Sequence, residues 1–100
     1  MRMADPHIRD FRGRHIHMIG IGGSSMSGLA RILKAQGYPL TGSDNLETYA
    51  TRELREAGIP VTIGHAPENV HGAALVIYTV AILPDNAERV EAARLGLPTI

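Results

Sequence analysis

A glycine-rich turn between an apolar run and an amphipathic segment is the part of this sequence best suited to chemistry. Residues 15–33 read HIHMIGIGGSSMSGLARIL, and the glycines among them are Gly20, Gly22, Gly23 and Gly28. Glycines let a ligand approach backbone N–H groups closely, and a helix that begins there adds about half a positive charge. Residues 16–30 contain no Lys or Arg, so amides and the helix dipole would have to hold any bound anion. The turn is typical of a phosphate-binding site.

The turn matches part of the G-x-G-x-x-G fingerprint of dinucleotide-binding proteins. Gly20 and Gly22 occupy its first two positions, Ser25 stands in the third, and Gly28 is expected to allow close helix–strand packing one turn later. Asp44 follows at about the 20-residue offset expected for a carboxylate that accepts hydrogen bonds from ribose hydroxyls. The pattern predicts a nucleotide with a diphosphate. The alternative is that the glycines only permit a tight turn and that Asp44 caps the next loop.

Strand and helix patterns alternate along the chain and determine where these residues lie. Apolar runs closed by turn residues predict strands at 15–21, 38–44, 59–64, 73–78 and 97–100. Helical spacing of apolar residues predicts three helices, which end at Gly37, Gly58 and Gly96. This alternation predicts an α/β fold, a Rossmann-like open parallel sheet of about five strands with helices on both faces.

The predicted loops after the first four strands carry glycine, hydroxyl, carboxylate and imidazole groups. In an open parallel sheet these loops share one rim, where ligands bind. We therefore expect one crevice at this rim. The loop residues are Gly20–Gly23, then Ser43 and Asp44, then Gly64 and His65, and finally Thr79–Ala81.

Helix starts follow from capping signals. Ser24 or Ser25 is expected to cap the first helix, and Asp85 with Glu88 three residues later forms the Asp variant of a capping box for the third. Val90, Ala93 and Leu97 are expected on the buried side of the third helix. Capping accounts for Asp85 and Glu88, so neither is assigned a chemical role.

Composition narrows the function classes. The 100 residues include ten basic and ten acidic side chains, which gives no electrostatic basis for binding nucleic acid or an anionic membrane. No cysteine is present, and no apolar run approaches the roughly 20 residues of a membrane span, so we expect a cytoplasmic protein. Residues 1–14, with Arg2, Arg9, Arg12 and Arg14, are expected to form an irregular, solvated lead-in to a domain at 15–100.

Four segments together resemble the N-terminal domain of the Mur ligases. They are HMIGIGGSSMSGLARIL, GYPLTGSD, GIPVTIGHAPENV and VIYTVAILPDNAE, in that order. Within the family, the resemblance favours the ligases that add L-alanine to UDP-N-acetylmuramate over those that attach a ready-made peptide in recycling. It implies that the domain binds a UDP-sugar rather than NAD.

The resemblance also implies a role for each candidate residue. The diphosphate would lie near Gly20, Gly22, Gly23 and the amides of Ser24, Ser25 and Met26. The uridine would lie near Asp44, His65 and the Thr79–Ala81 loop, with Ser43 beside Asp44. Ser25 stands where the family often has glycine, and Thr79 and Val80 stand where it often has two serines, so a hydroxyl is missing at Val80.

No G-x-x-x-x-G-K-[ST] motif occurs in the sequence, so no P-loop for ATP is present. The resemblance implies that ATP and Mg²⁺ act in the parent enzyme, through a central ATPase domain and a C-terminal domain beyond Ile100. This chain alone is expected to bind no cofactor and to hold substrate without turning it over.

Two other function classes fit the glycine turn and Asp44. One is the NAD-binding module of an oxidoreductase, with Asp44 on the adenosine ribose, and the other is a regulatory nucleotide-sensing domain. His15 and His17 share a strand face and could suggest a metal, although an edge or packing role is favoured. His65 is either a uridine contact or a simple loop residue.

Overall fold

The computed structural model describes residues 7–100. Four strands form one parallel sheet, namely β1 (Ile16–Ile19), β2 (Leu40–Asp44), β3 (Val61–Ile63) and β4 (Leu75–Ile77). Their order across the sheet is β3-β2-β1-β4. Three α-helices connect or follow them, α1 (Ser24–Ala35), α2 (Tyr49–Glu56) and α3 (Ala87–Arg94). The predicted α/β fold with a Rossmann-like parallel sheet is confirmed.

The expected fifth strand is reduced to a single bridge. Thr99 pairs in parallel with Val76 of β4, and the Ile100 N–H donates to the Val76 carbonyl. The run at 97–100 therefore lies beside β4 as a fifth strand would, but its pairing is too short to extend the four-stranded sheet.

Side chains alternate between the two faces of β1, and different helices pack against each face. Ile16 and Met18 point into the larger core, with Met26 and Leu33 of α1 and Leu54 of α2. His17 and Ile19 point to the opposite face. That face is closed by α3 and by a 3₁₀ helix at Pro67–Val70. Helices on both faces were predicted from the sequence and are present.

The helix starts differ from those expected. Gly23 is the N-cap of α1 and no side chain of the described residues caps this helix, so neither Ser24 nor Ser25 has the expected role. In α3 the cap is Asn86 rather than Asp85, and its side-chain oxygen accepts from the N–H groups of Glu88 and Arg89.

The buried face of α3 also differs from expectation. Val90 and Ala93 are exposed, and Leu97 is partly buried. The side chains buried from α3 are Glu88, Glu91 and Ala92. The capping pattern misplaced the helix start, and the true inward face is acidic rather than aliphatic.

Residues 7–14 include a 3₁₀ helix at Ile8–Phe11, where the sequence predicted an irregular lead-in. The Phe11 side chain is buried against the larger core, and the Tyr38 hydroxyl donates to the Ile8 carbonyl. Residues 1–6, including Arg2, lie outside the described residues. None of the helices in residues 7–100 is both long enough and apolar enough to cross a bilayer.

Candidate functional site

A cavity of about 800 Å³ opens at the rim where the carboxyl ends of the strands meet. Its lining includes ten of the eleven candidate residues. They are Gly20, Gly22, Gly23, Ser24, Ser25, Met26, Asp44, His65, Thr79 and Ala81. The topology therefore gathers the predicted loops around one crevice, and that crevice is within the size range of small-molecule sites.

Ser43 does not line the cavity. Its side chain is fully buried beneath the rim, and its hydroxyl donates to Glu88 Oε1 at 2.8 Å. The Ser43 carbonyl accepts from the N–H groups of Gly20 and Ile21, which fixes the start of the glycine turn. Ser43 supports the site from below.

The amides available to an anion begin later in the turn than expected. The Gly22 N–H donates to Asp44 Oδ2 at 2.9 Å, and the Gly23 N–H donates to the Gly20 carbonyl at 3.1 Å. Both of these glycine amides are already used by the protein. The N–H groups of Ser24, Ser25 and Met26 have no hydrogen-bond partner among residues 7–100. Since the first N–H groups of a helix lack partners within it, these three remain for a ligand.

Asp44 closes the glycine turn. Besides accepting from Gly22, its carboxylate accepts from the Asn45 N–H through Oδ1 at 2.8 Å. A Cβ on Gly22 would lie 2.8 Å from Asp44 Oδ2 and 3.0 Å from Thr51 Cγ2. Glycine is needed at this position because a side chain would occupy the space that the carboxylate fills.

Gly28 does not provide the close helix–strand contact expected of it. A Cβ at Gly28 would meet no atom of residues 7–100 within 4 Å. The close approach occurs instead at Gly42 in β2, where a Cβ would lie 2.4 Å from Ile21 Cδ1. The Ile21 side chain, two residues after the end of β1, packs directly over β2.

A buried carboxylate lies beneath the cavity. Glu88 is fully buried, and four side chains donate hydrogen bonds to it. Oε1 accepts from His17 Nε2 at 2.5 Å and from Ser43, while Oε2 accepts from His65 Nδ1 at 2.7 Å and from Asn69 Nδ2 at 3.2 Å. Burial raises the pKa of Glu88, and the hydrogen bonds from His17, Ser43 and His65 outweigh burial and lower it to about 2. Glu88 is therefore ionised at neutral pH.

His17 of β1 and His15, which directly precedes this strand, belong to this network rather than to the sheet edge. His17 Nδ1 lies 2.8 Å from Thr41 Oγ1, and His15 Nε2 lies 2.7 Å from the same oxygen. Since the Glu88 carboxylate only accepts, His17 donates to it from Nε2, while His17 Nδ1 pairs with the Thr41 hydroxyl. Among residues 7–100 no group of three or more His, Asp or Glu side chains is arranged so that it could hold a metal ion.

Acid should destabilise the fold through Glu88. Its pKa falls from 4.5 to about 2 on folding, so the unfolded chain binds more protons between these values. The ionised Glu88 therefore contributes on the order of 3 kcal/mol to the free energy of unfolding. The full contribution is present above about pH 5, and it is lost as the pH falls towards 2. Urea unfolding from pH 7 to pH 3 should show a shallower loss of stability for Glu88→Gln than for the wild type.

Glu91→Gln is the control variant for the pH dependence of Glu88→Gln. Hydrogen bonds from Arg94 and His71 also lower the pKa of Glu91 to about 2, so Glu91→Gln corrects for the second α3 carboxylate. If Glu88→Gln and the wild type lose stability in parallel as the pH falls, Glu88 does not carry the effect.

Sequence reasoning missed Glu88 because a capping box already explained it. A usable signal was present in His17, which stands at an inward position of a central strand and needs a buried polar partner. Asn69, which lies in the PENV segment, donates to both Glu88 and the Gly64 carbonyl. Other unpredicted cavity residues are Asn45, Leu46, Thr48, Ile82, Leu83, Asp85 and Asn86.

The loop after β4 contributes to the cavity as expected. Thr79 and Ala81 line it, and the Thr79 hydroxyl accepts from the Ala81 N–H at 3.4 Å. Val80 is fully exposed and does not line the cavity. A hydroxyl missing at Val80 therefore removes nothing from the cavity wall.

Comparison with known proteins supports one family. The profile of the Mur ligase family, catalytic domain, matches residues 15–100. UDP-N-acetylmuramate–L-alanine ligase of Sulfurihydrogenibium sp. (strain YO3AOP1) is 51% identical over 92 residues, covering 90% of this chain and 20% of that protein. The crystal structure of UDP-N-acetylmuramate-alanine ligase from Thermotoga maritima has a TM-score of 0.83 at 38% identity, covering 86% of this chain and 20% of that one.

A murein peptide ligase from Psychrobacter arcticus has a similar fold, with a TM-score of 0.81 at 29% identity. The match covers 88% of this chain and 19% of that one. The chain thus spans about a fifth of the length of the relatives it matches. The resemblance found in the sequence is confirmed at the level of the family. The family profile matches well over half of the residues of this chain, and the chain therefore belongs to the Mur ligase family.

Proposed function

We propose that this chain binds UDP-N-acetylmuramate, as the substrate-binding domain of an ATP-dependent ligase that joins L-alanine to it in peptidoglycan synthesis. The observation that carries the proposal is that the amides of Ser24–Met26 have no hydrogen-bond partner in the described part of the chain and that these three residues line the cavity. The relative that is 51% identical is named UDP-N-acetylmuramate–L-alanine ligase, after this reaction.

The polarity of the cavity fits a nucleotide sugar. Among the described residues, no Lys or Arg lines it, so the diphosphate would accept hydrogen bonds from the amides at the positive end of α1. The carboxylates of Asp44 and Asp85 line other parts of the wall. Carboxylates accept hydrogen bonds, so these two suit the hydroxyl and N–H donors of a ribose, a base or a sugar.

Thermal unfolding in the presence of each of three ligands tests which nucleotide the chain binds. UDP-N-acetylmuramate at a hundred times its Kd should stabilise the chain by about 2.7 kcal/mol, which raises the Tm by several degrees. UDP should raise the Tm as well, at higher concentration, and NAD should leave it unchanged. A Tm that rises with NAD and not with either uridine ligand would support the oxidoreductase rival and end the proposal.

The amine substrate requires a separate assay. The peptide-recycling ligase of the same family is proposed to share the UDP-sugar, so binding to this chain does not distinguish it. The intact protein that contains this chain should release phosphate from ATP with UDP-N-acetylmuramate and L-alanine. Among the solved structures, the higher identity to the L-alanine ligase, 38% against 29% for the murein peptide ligase, favours this outcome over release with a tripeptide.

The residues of this chain do not fit an ATP site. The sequence lacks a P-loop lysine motif, and no group of three or more His, Asp or Glu side chains in residues 7–100 is arranged so that it could hold a metal ion. We therefore propose that ATP and Mg²⁺ bind to a central ATPase domain and a C-terminal domain of the same protein. Because the reaction consumes ATP, we propose the cytoplasm as its location.

A further inference from the structure

His65 lines the cavity, and its ring also contacts Glu88. Its Nδ1 lies 2.7 Å from Glu88 Oε2, and its side chain is 20% exposed. Nε2 has no hydrogen-bond partner among residues 7–100, and no buried side-chain nitrogen in that range lacks one. Nε2 therefore reaches solvent while Nδ1 faces the protein interior.

The buried carboxylate decides which nitrogen of His65 carries the proton. An ionised carboxylate only accepts hydrogen bonds, so the proton of a neutral His65 ring lies on Nδ1. Nε2 then holds a lone pair. In this state His65 offers an acceptor, and not a donor, to anything in the cavity.

Glu88 itself has little freedom to move. His17, Ser43 and Asn69 donate to the same carboxylate from β1, β2 and the 3₁₀ helix. The side-chain oxygen of the N-cap Asn86 accepts from the Glu88 backbone N–H at 2.9 Å. The carboxylate is thus fixed from three neighbouring elements and from its own helix start, which gives the His65 ring one orientation.

We propose that Glu88 is a positioning residue for ligand binding. It fixes the His65 ring with the proton on Nδ1, so that Nε2 accepts a hydrogen bond from an N–H or O–H group of the ligand. This inference rests on the proposed function, because the uracil and ribose of a UDP-sugar supply such donors. No residue pattern in the sequence assigned Glu88 this task.

Ring-nitrogen NMR tests the first half of the proposal without any ligand. Long-range ¹H–¹⁵N spectra of the ¹⁵N-labelled chain at about pH 7.5, above the ordinary pKa of histidine, distinguish a proton on Nδ1 from one on Nε2. We expect His65 to carry its proton on Nδ1 in the wild type. A wild-type His65 protonated on Nε2 would overturn the proposal, whether or not UDP-N-acetylmuramate binds.

Calorimetric titration with UDP-N-acetylmuramate tests the second half. Glu88→Ala removes both acceptor oxygens and should raise the Kd about tenfold, the effect of losing one oriented hydrogen bond. His65→Ala should raise the Kd by a similar factor. The double variant should bind no more weakly than His65→Ala alone, because Glu88 acts through His65.

Controls separate positioning from simple damage to the fold. Glu91→Ala removes the other α3 carboxylate, which pairs with His71 and Arg94 away from the cavity, and should leave the Kd unchanged. If Glu88→Ala does not fold, Glu88→Gln replaces it. The single amide oxygen that Glu88→Gln leaves accepts from only one of His17 and His65, so the His65 tautomers should mix and the Kd should rise about twofold.

Different outcomes would contradict the proposed binding of UDP-N-acetylmuramate and the proposed positioning role of Glu88. A wild-type chain that does not bind UDP-N-acetylmuramate ends the proposed function, and the tautomer measurement still stands on its own. A loss of affinity on removing Glu88 that persists in full in the His65→Ala background overturns the positioning role. An unchanged Kd for Glu88→Ala does the same.

Discussion

Replacing Gly22 by alanine should weaken the binding of UDP-N-acetylmuramate about 30-fold. The added Cβ would lie 2.8 Å from Asp44 Oδ2 and 3.0 Å from Thr51 Cγ2. Asp44 has little room to yield because Gly22 and Asn45 hold both of its oxygens. The turn must therefore shift, and the amides of α1 that follow it move away from the diphosphate. A loss of about 2 kcal/mol corresponds to this change in Kd.

Gly28→Ala is the matched control for the Gly22 variant. It adds the same methyl group further along α1, where no atom lies within 4 Å. Alanine in a helix interior is favoured over glycine by about 0.5–1 kcal/mol, so this variant should be more stable and should bind ligand unchanged. Titration calorimetry and urea unfolding of both variants measure the two effects. Equal affinities for Gly22→Ala and the wild type would show that the turn does not position the binding amides.

Gly42→Ala should destabilise the fold by about 3 kcal/mol, at the upper end of the usual cost of overpacking a core. The new Cβ would lie 2.4 Å from Ile21 Cδ1 and 2.7 Å from Ile21 Cγ2. Ile21 is fully buried in the larger core, and Gly42 lies within the paired part of β2. Neither side of the contact can retreat without breaking sheet pairing or core packing. Urea unfolding at pH 7 measures the loss.

A double variant tests the cause of that loss. Ile21→Ala removes the two closest atoms and opens a cavity, which costs about 2–5 kcal/mol alone. In the Ile21→Ala background the Gly42→Ala substitution should cost less than in the wild type, because the two closest atoms are gone. It should still destabilise the fold, because the Cβ of residue 21 remains, 2.8 Å from the new Cβ. If the losses of the two single variants simply add in the double variant, contact with the Ile21 side chain is not the cause of the Gly42→Ala effect.

The amino-acid sequence by itself determined the α/β class, the parallel sheet and the rim where the loops meet. Periodicity distinguished strands from helices, and the short alternating segments required parallel crossovers. The glycine turn after β1 and the offset to Asp44 indicated a nucleotide before any contact was known. These features are local or depend on fixed spacing, which is why a single sequence contains them.

Only the tertiary structure decided which groups are available to a ligand. The Gly22 amide looked free in the sequence, and its partner Asp44 arrives from β2. Glu88 looked like a cap, and it is a buried carboxylate bound by His17 and His65 from distant parts of the chain. A hydrogen bond between residues far apart in sequence has no local signature, because it depends on how the elements pack. The three-dimensional arrangement therefore leaves unpaired amides at the start of α1, where we propose that the diphosphate binds, and reveals the carboxylate beneath the cavity.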